Sequence, residues 1–357
     1  MTSTDRRSVL AAATASLFAP HVLRAQPRVV RLGFASIGAG NRQFSGGSFV
    51  AAAHAEGWLE RDLAKEGQNV ELRWFFFAGA GPAVNEALAN DQLDFALQGD
   101  LPAVIGRANG LRTKLILANG VNNPIYLAVP PDSDIKTVAD LRGRHVAWHR
   151  GTNLHLVIAK VLAANGLAER DLRAVNMDFA TADAALAAKN IDAAFGTPTL
   201  FDLQRRGLAK IVYTTKGDNP AFGRHSHVLV QERFEAANPE LTGRIITSFL
   251  RAADWSSKEE NREALFQIWG KSGFSIDNYR EDFAGLPLAY RNSPLLDDFL
   301  QGQYRIQAEQ SFEHRLVRRR VDTSGWFDTR YQEAGLKELG LERRWTRRDA
   351  EGREIAA

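Results

Sequence analysis

The sequence predicts an α/β protein of two lobes, each a mostly parallel sheet flanked by helices. Short apolar runs alternate with segments of helical periodicity, which is the pattern of βαβ units. The alternation restarts near residue 125, so one set of units follows another. A chain of 357 residues with 45% hydrophobic and 24% charged residues has the length and the composition for two lobes.

The elements of the first set are punctuated by glycine and proline. Gly57 is placed to end an Ala-rich helix, because glycine readily adopts the left-handed conformation that closes helices. Pro82 favours a helix start. Strand 70–77 carries four consecutive aromatic residues, so we expect it to be buried on both faces. The other predicted elements are strands at 29–34, 93–97 and 114–118 and helices at 48–54 and from Pro102.

The second set is bounded by two segments rich in Gly, Asn and Pro, at 119–124 and 218–227. We expect these segments to be paired crossovers between the lobes. Lobe 1 would then comprise residues 28–122 and 227–335, lobe 2 residues 123–226, and 341–357 would be a polar C-terminal extension. The predicted elements are strands at 125–129, 145–148, 175–179, 191–195, 211–213 and 228–231, helices at 138–141, 152–164, 182–188 and 200–206, and a mainly helical region to about 310.

The first 25 residues predict an export signal. Arg6 and Arg7 precede a short Ala-rich apolar run, and small residues follow at a cleavage position after Leu23-Arg24-Ala25. This order is typical of a twin-arginine signal peptide. The run is too short to span a bilayer, which needs about 20 apolar residues. We therefore expect the mature protein to work in the periplasm.

Charge and cysteine content exclude several functions. The formal net charge is +3, and residues 1–25 hold three arginines and one aspartate, so the mature chain is near +1. The arginines at 315–320 and 343–348 are interleaved with acidic residues, so we expect solvated surface there and no nucleic-acid partner. The chain has no cysteine, which excludes disulfides, thiolate metal ligands and cysteine nucleophiles.

Catalytic motifs are scarce. The sequence has no G-x-S-x-G elbow, no H-E-x-x-H motif and no Walker phosphate loop. Glycines 38 and 40 follow the first strand, but the third glycine of a dinucleotide loop is not in place. No carboxylate cluster accompanies the spaced histidines at 145 and 149 or at 225 and 227. We predict no catalytic residues, no cofactor and no metal site.

Small and polar residues occupy the loops that follow the predicted strands. Their glycines let backbone N–H groups approach a ligand, and the helix that follows adds the positive end of its dipole, which suits an oxyanion. Each loop alone is also what an ordinary βα turn looks like. Five of them in register favour a pocket at the carboxyl ends of the strands. The loops lie at 35–42, 78–81, 98–100, 150–153 and 196–198.

Charged and aromatic residues near these loops have more than one possible role. Arg42, Arg150 and Arg224 could each bind a sulfonate or carboxylate through two hydrogen bonds, although each alone is typical of surface. Asp100 could hold a ligand amine, cap the next helix or pair with an arginine, and we favour the cap. The aromatic rings of residues 44, 148 and 195 could pack on a ligand tail or simply lie in the core.

The same loops resemble the aliphatic sulfonate, nitrate and taurine binding proteins of bacterial ABC importers. The resemblance extends over about residues 28–335, and its specificity comes from the order and spacing of several motifs. The loop 41–48 departs from the family by being longer and richer in glycine. The motifs are FAGAGP at 77–82, EAL at 86–88, QLDF at 92–95, GDLPA at 99–103, GTNLH at 151–155, NGL at 165–167, IDAAF at 191–195 and GWFD at 325–328.

The resemblance implies a monomeric periplasmic binding protein of the type II fold. It would close its two lobes on a small organic anion, such as a sulfonate, taurine or a related oxyanion, and dock onto an ABC permease in the inner membrane. By position in the family, six residues would line the cleft: Ser36, Gly79, Asp100, Thr152, Asn153 and Thr197. We add five polar or charged residues on or near these loops to the candidate binding residues: Asn41, Arg42, Gln98, Arg224 and His225.

Two alternatives remain open at this point. One is an enzyme on the same scaffold, related to thiamine-pyrimidine synthesis, but the iron motif of such enzymes contains cysteines that this chain lacks. The other is a binding protein that serves a sensor. The sequence does not separate an importer from a sensor, because both would use the same cleft.

Overall fold

The computed structural model describes residues 26–355 and shows two α/β lobes. The predicted signal peptide, residues 1–25, lies outside the described residues. Strands and helices alternate in the first part of the chain, as the apolar runs predict. These elements are β1 (Arg28–Phe34), α1 (Phe49–Glu56), α2 (Trp58–Lys65), β2 (Val70–Phe76), α3 (Ala80–Ala89), β3 (Phe95–Gly99), α4 (Asp100–Ala108) and β4 (Thr113–Asn123).

A second set of alternating elements follows, and the chain then returns to the first lobe. The second set is β5 (Tyr126–Val129), β6 (His145–Trp148), α5 (Asn153–Ala164), β7 (Arg173–Asn176), α6 (Phe179–Ala187), β8 (Ala193–Gly196), α7 (Leu200–Arg205) and β9 (Lys210–Thr214). The returning segment is β10 (Arg224–Gln231), α8 (Glu232–Ala237), α9 (Pro239–Ser256), α10 (Arg262–Gly270), α11 (Ile276–Asp282), α12 (Leu288–Arg291), α13 (Asp298–Glu313), α14 (Arg330–Leu339), β11 (Arg347–Arg348) and β12 (Glu354–Ile355).

Each lobe contains one five-stranded mixed sheet. The strand order is β2-β1-β3-β10-β4 in lobe 1 and β7-β6-β8-β5-β9 in lobe 2. In lobe 1, β1 is parallel to β2 and β3, and β10 is antiparallel to β3 and β4. In lobe 2, β6 is parallel to β7 and β8, and β5 is antiparallel to β8 and β9. One strand in each sheet therefore runs against the other four, and the predicted fold class is confirmed.

Two adjacent chain segments join the lobes. The chain leaves the first sheet after β4 and enters the second at β5, and it comes back between β9 and β10. The two crossovers lie side by side, since Arg224 at the start of β10 pairs with Asn123 at the end of β4. A pair of short connections is the arrangement expected of a hinge.

Apolar residues cover both faces of each sheet. In lobe 1, Val30, Leu32 and Phe34 of β1 pack into a core shared with α1 and α9, and a second core lies on the other face. β3 is buried along its whole length because helices cover both of its faces. Among the described residues, no helix has both the length and the apolar character needed to cross a membrane.

Two local predictions are wrong. Strand β2 is not buried on both faces, since Phe75 is 38% exposed. The reason is its position at the edge of the sheet, which a run of aromatic residues does not reveal. The strand predicted at 175–179 ends at Asn176, because Asp178 accepts a hydrogen bond from the backbone N–H of Thr181 and starts α6.

The C-terminal extension packs against lobe 1. The indole of Trp345 is buried, and its Nε1 donates a hydrogen bond to Ser257 Oγ at 3.0 Å. The Arg344 guanidinium forms an ion pair with Asp254 at 2.6 Å. Beyond these residues, β11 and β12 form a short antiparallel hairpin. The charged residues of this segment therefore surround an apolar anchor.

We predict that Trp345→Ala destabilises the protein. Loss of a buried indole and its hydrogen bond should lower the free energy of unfolding by about 3 kcal/mol. Chemical denaturation followed by circular dichroism measures this change. Thr346→Ala, which alters an exposed neighbour, is the control. Equal stability of the two variants would show that the extension is not part of the folded unit.

Candidate functional site

The first turns of three helices meet where the lobes touch. Helices α3 and α4 belong to lobe 1 and α5 to lobe 2, and each follows a parallel strand. A Cβ atom added at Gly81 would lie 2.2 Å from Pro102 Cγ, and one at Gly99 would lie 2.4 Å from Asn153 Cβ. Any side chain at either position would push these turns apart. The glycines of the predicted loops therefore permit close contact between helices.

No side chain caps the N-termini of these three helices. Gly79 and Gly99 hold the N-cap positions of α3 and α4, and the Thr152 hydroxyl before α5 donates to the His149 carbonyl oxygen at 2.7 Å instead. Uncapped first turns present backbone N–H donors and the positive ends of helix dipoles. Four other helices are capped by the side chains of Ser48, Asp178, Ser275 and Asp297. The remaining described α-helices also lack a side-chain cap, so it is the convergence of these three first turns that sets the junction apart.

Arg224 lies at the junction of both lobes and the return crossover. Its Nε donates to the Pro124 carbonyl oxygen at 3.1 Å, and its Nη1 donates to Asn153 Oδ1 at 3.4 Å. Burial lowers the pKa of Arg224 to about 10, so the guanidinium stays charged at neutral pH. Asp282 and Asp100 attract it through space, but within residues 26–355 no carboxylate forms an ion pair with it.

Asp100 and His225 join α4 to β10 beneath this junction. Asp100 is 1% exposed, and its two oxygens accept hydrogen bonds from the backbone N–H groups of Leu101 at 2.7 Å and His225 at 2.8 Å. Burial raises the pKa of Asp100 to about 6. The His225 ring is neutral, because burial lowers its pKa to about 3, and its Nδ1 accepts from the backbone N–H of Asn122. Asp100 is the first residue of α4 and not its N-cap, which is Gly99, but its carboxylate accepts the Leu101 N–H within the first turn of that helix.

The structure brings six of the eleven predicted site residues together and leaves the other five apart. Around the meeting of α4, α5 and β10 lie six of them: Gln98, Asp100, Thr152, Asn153, Arg224 and His225. Gln98 is buried and donates from Nε2 to Asn85 Oδ1. The other five lie apart from them, on the loops that follow β1, β2 and β8: Ser36, Asn41, Arg42, Gly79 and Thr197.

The outer residues differ in their surroundings. Ser36 Oγ forms a hydrogen bond with buried Ser45 Oγ at 2.7 Å, and Thr197 Oγ1 lies 3.3 Å from Thr199 Oγ1. Asn41, Arg42 and Gly79 are exposed. The Arg42 guanidinium lies against Gly273 in the C-terminal part of lobe 1, where a Cβ would come within 2.9 Å of Arg42 Nη1.

Arg150 is paired within its own lobe. Its guanidinium forms an ion pair with Glu169, whose other oxygen is 3.1 Å from His155 Nε2. Of the three arginines selected from the sequence, Arg224 alone is both half-buried and in contact with an uncapped helix N-terminus. Among residues 26–355, no group of three or more His, Cys, Asp or Glu is placed to hold a metal ion.

Sequence reasoning missed a polar group behind Arg224. Asp282 forms a buried ion pair with Arg291 at 2.7 Å and accepts a hydrogen bond from the Tyr126 hydroxyl at 2.5 Å. Arg291 also donates to Asn123 Oδ1 at 2.7 Å. These residues come from distant parts of the chain without motif or spacing, so the sequence offers no sign of their contact.

The chain is similar to proteins that are named as binding proteins. The model of the family described as NMT1/THI5 like matches residues 52–262. A Bacillus subtilis (strain 168) protein named as aliphatic sulfonates-binding is 25% identical over 297 residues, 80% of this chain and 84% of that protein. A solved structure titled as a periplasmic sulfonate-binding protein of an ABC transporter, from Methylobacillus flagellatus KT, is 28% identical with a TM-score of 0.78, covering 91% of this chain and 98% of that one.

An enzyme shares the architecture. The structure of the desulfurization enzyme DSZB is 16% identical to this chain, with a TM-score of 0.66 and coverage of 87% of this chain and 99% of that one. At this identity the likeness shows a common fold alone.

We predict that Asp100→Asn changes how stability depends on pH. The raised pKa means that folding favours the protonated carboxyl, so the wild type loses stability between pH 3.8 and about 6. The variant carries no such charge. As the pH rises through this range, the free energy of unfolding of the variant should therefore increase relative to that of the wild type by up to about 3 kcal/mol.

Urea denaturation at several pH values measures the difference. Asp298→Asn, which changes an exposed aspartate in the first turn of α13, is the control. A difference between wild type and Asp100→Asn that stays constant with pH would contradict the prediction.

Proposed function

The chain belongs to the NMT1/THI5-like family, and we propose that it is a periplasmic solute-binding protein that captures a small organic anion for an ABC importer. The observation that carries this proposal is the Arg224 guanidinium, which is half-buried between the lobes, charged and free of any carboxylate ion pair among the described residues. It lies against the first residue of α5, whose N-terminus has no side-chain cap.

The electrostatics of this junction favour an anion. A buried charge without a partner is costly, and a bound anion would offset that cost. A guanidinium offers two parallel donors to a sulfonate or carboxylate. Since Asn153 Oδ1 accepts from Arg224, the Asn153 amide nitrogen is left to donate, next to the N–H groups of the first turn of α5. The site can therefore surround an oxyanion with donors from both lobes.

We favour a sulfonate over the other anions of the predicted set. The B. subtilis and M. flagellatus proteins are both named as sulfonate-binding. The three oxygens of a sulfonate match a guanidinium, an amide and a helix N-terminus that converge from different directions. Nitrate, taurine and carboxylates are the competing ligands to compare.

The remaining sequence predictions form part of the proposal. We propose that Ser36, Asn41, Arg42, Gly79 and Thr197 form the rim of the cleft, with Gln98 and His225 behind Arg224. Lobe 1 comprises residues 28–122 and 227–335, and lobe 2 comprises residues 123–226. The mature protein is a monomer, exported by the twin-arginine route after loss of residues 1–25, and it delivers its ligand to an inner-membrane permease.

A binding role is favoured over catalysis. The two relatives compared at 25% and 28% identity are named as binding proteins, whereas the enzyme DSZB is similar at 16% identity. In the proposed role, ligand binding favours a closed arrangement of the lobes and involves no covalent step.

Isothermal titration of the mature protein tests the proposal. We expect heat on addition of ethanesulfonate, with weaker or no binding of acetate, nitrate and a quaternary ammonium cation. Arg224→Gln should weaken ethanesulfonate binding by at least about 30-fold, because truncating one partner of a buried charge pair costs about 2 kcal/mol or more.

Arg343→Gln is the matched control, because Arg343 is an exposed arginine in the C-terminal segment. Circular dichroism establishes that both variants are folded. No heat with any anion would refute the ligand class, and unchanged affinity of folded Arg224→Gln would show that the anion binds elsewhere.

A further inference from the structure

A second contact between the lobes joins α7 of lobe 2 to α11 of lobe 1. The Arg205 guanidinium forms an ion pair with Glu281 and donates a hydrogen bond to Asn278 Oδ1 at 2.5 Å. In return, Asn278 Nδ2 donates to Asp202 Oδ2 at 3.2 Å. Two residues one turn apart on α7 are thus matched by two residues one turn apart on α11.

Three of the four residues form a closed network, because Arg205 is also paired with Asp202 on its own helix. The Glu281 carboxylate joins this network through its ion pair with Arg205. Asn278 is 1% exposed, whereas the side chains of Arg205 and Glu281 are 32% and 36% exposed. A buried amide fixes the register of the two helices, and water reaches the ion pair at the rim. Such a contact can separate without leaving a charge buried.

Other contacts to α11 come from the crossovers. Lys216, which follows β9, donates from Nζ to the Glu281 carbonyl oxygen at 2.9 Å. Tyr126 at the start of β5 donates to Asp282. Helix α7 belongs to neither crossover. A rotation of lobe 2 about the crossovers therefore changes the distance between Arg205 and Glu281 more than it changes the distances from Lys216 and Tyr126 to α11.

Helix α7 also begins at the proposed ligand site. Thr197 lies in the loop before it, and Arg205 is its last residue. A short helix of six residues thus links a residue on the rim of the cleft to the interlobe ion pair. A ligand that draws this loop towards lobe 1 would bring Arg205 towards α11 as well.

We propose that Asp202, Arg205, Asn278 and Glu281 form an interlobe latch that stabilises the closed arrangement and slows ligand release. This inference rests on the proposed function, because closure matters only if a ligand is held between the lobes. A contact made only in the closed state shifts the open–closed equilibrium by its own free energy, and affinity follows the closed population. The latch sets affinity without touching the anion.

A double-mutant cycle on the mature protein tests the latch. Arg205→Ala and Glu281→Ala should each weaken ethanesulfonate binding by about 3- to 10-fold, through faster dissociation, since partly exposed ion pairs in a network contribute modestly. The double variant should bind no more weakly than Arg205→Ala, because that variant has already lost the contact with Glu281. Titration calorimetry and stopped-flow fluorescence provide the affinities and rates.

Arg206→Ala, at the neighbouring exposed position, is the control and should bind as the wild type does. Unchanged affinity of both single variants, or additive losses in the double variant, would overturn the latch. Small-angle scattering adds a readout that needs no ligand, because Arg205→Ala should have a larger radius of gyration than the wild type.

The two measurements separate the latch from the ligand assignment. A wild type that binds no anion, with Arg205→Ala expanded, refutes the proposed function and supports the latch. A wild type that binds ethanesulfonate, with Arg205→Ala unchanged in both affinity and size, supports the function and refutes the latch. No binding together with no expansion refutes both.

Discussion

The half-buried positive charge of Arg224 at the junction of the lobes is the central interaction of this structure. It is held between a carbonyl of one crossover and the first residue of α5, with Asp282 and Asp100 nearby but not bonded to it. Asp282 is already paired with Arg291, and both oxygens of Asp100 accept backbone N–H groups. The two nearby carboxylates are thus occupied elsewhere, and one half-buried cation is left without a carboxylate partner among the described residues.

Close packing of helix starts makes this arrangement possible. Gly81 allows the first turns of α3 and α4 to approach each other within lobe 1, and Gly99 allows the first turn of α5 to approach them across the lobe boundary. The uncapped N-termini of α3 and α5 near one cation produce a positive potential that no single residue would create, whereas the first turn of α4 carries the Asp100 carboxylate. Since α5 comes from the other lobe, this potential depends on the relative position of the lobes. In the function we propose, binding and closure are therefore coupled through the same contacts.

The sequence predicted the architecture because apolar periodicity and glycine chemistry are local. Gly57 ends α1 with a positive φ of 63°, as its position implied, and the predicted loops at 98–100 and 150–153 do meet. Burial of an edge strand is not local, so the exposure of Phe75 was missed.

Pairing of side chains is not local either. Arg150 and Arg224 look alike in the sequence, yet one meets Glu169 and the other meets no carboxylate among the described residues. The contacts of α7 with α11 join residues more than 70 positions apart and leave no trace in composition or spacing.

A crystal structure of the mature protein with ethanesulfonate would show whether Arg224 binds the anion. We expect sulfonate oxygens within about 3 Å of the Arg224 guanidinium and of donors at the start of α5, with both lobes in contact with the ligand. A sulfonate bound outside the cleft, with Arg224 instead paired to a carboxylate of the protein, would contradict this expectation.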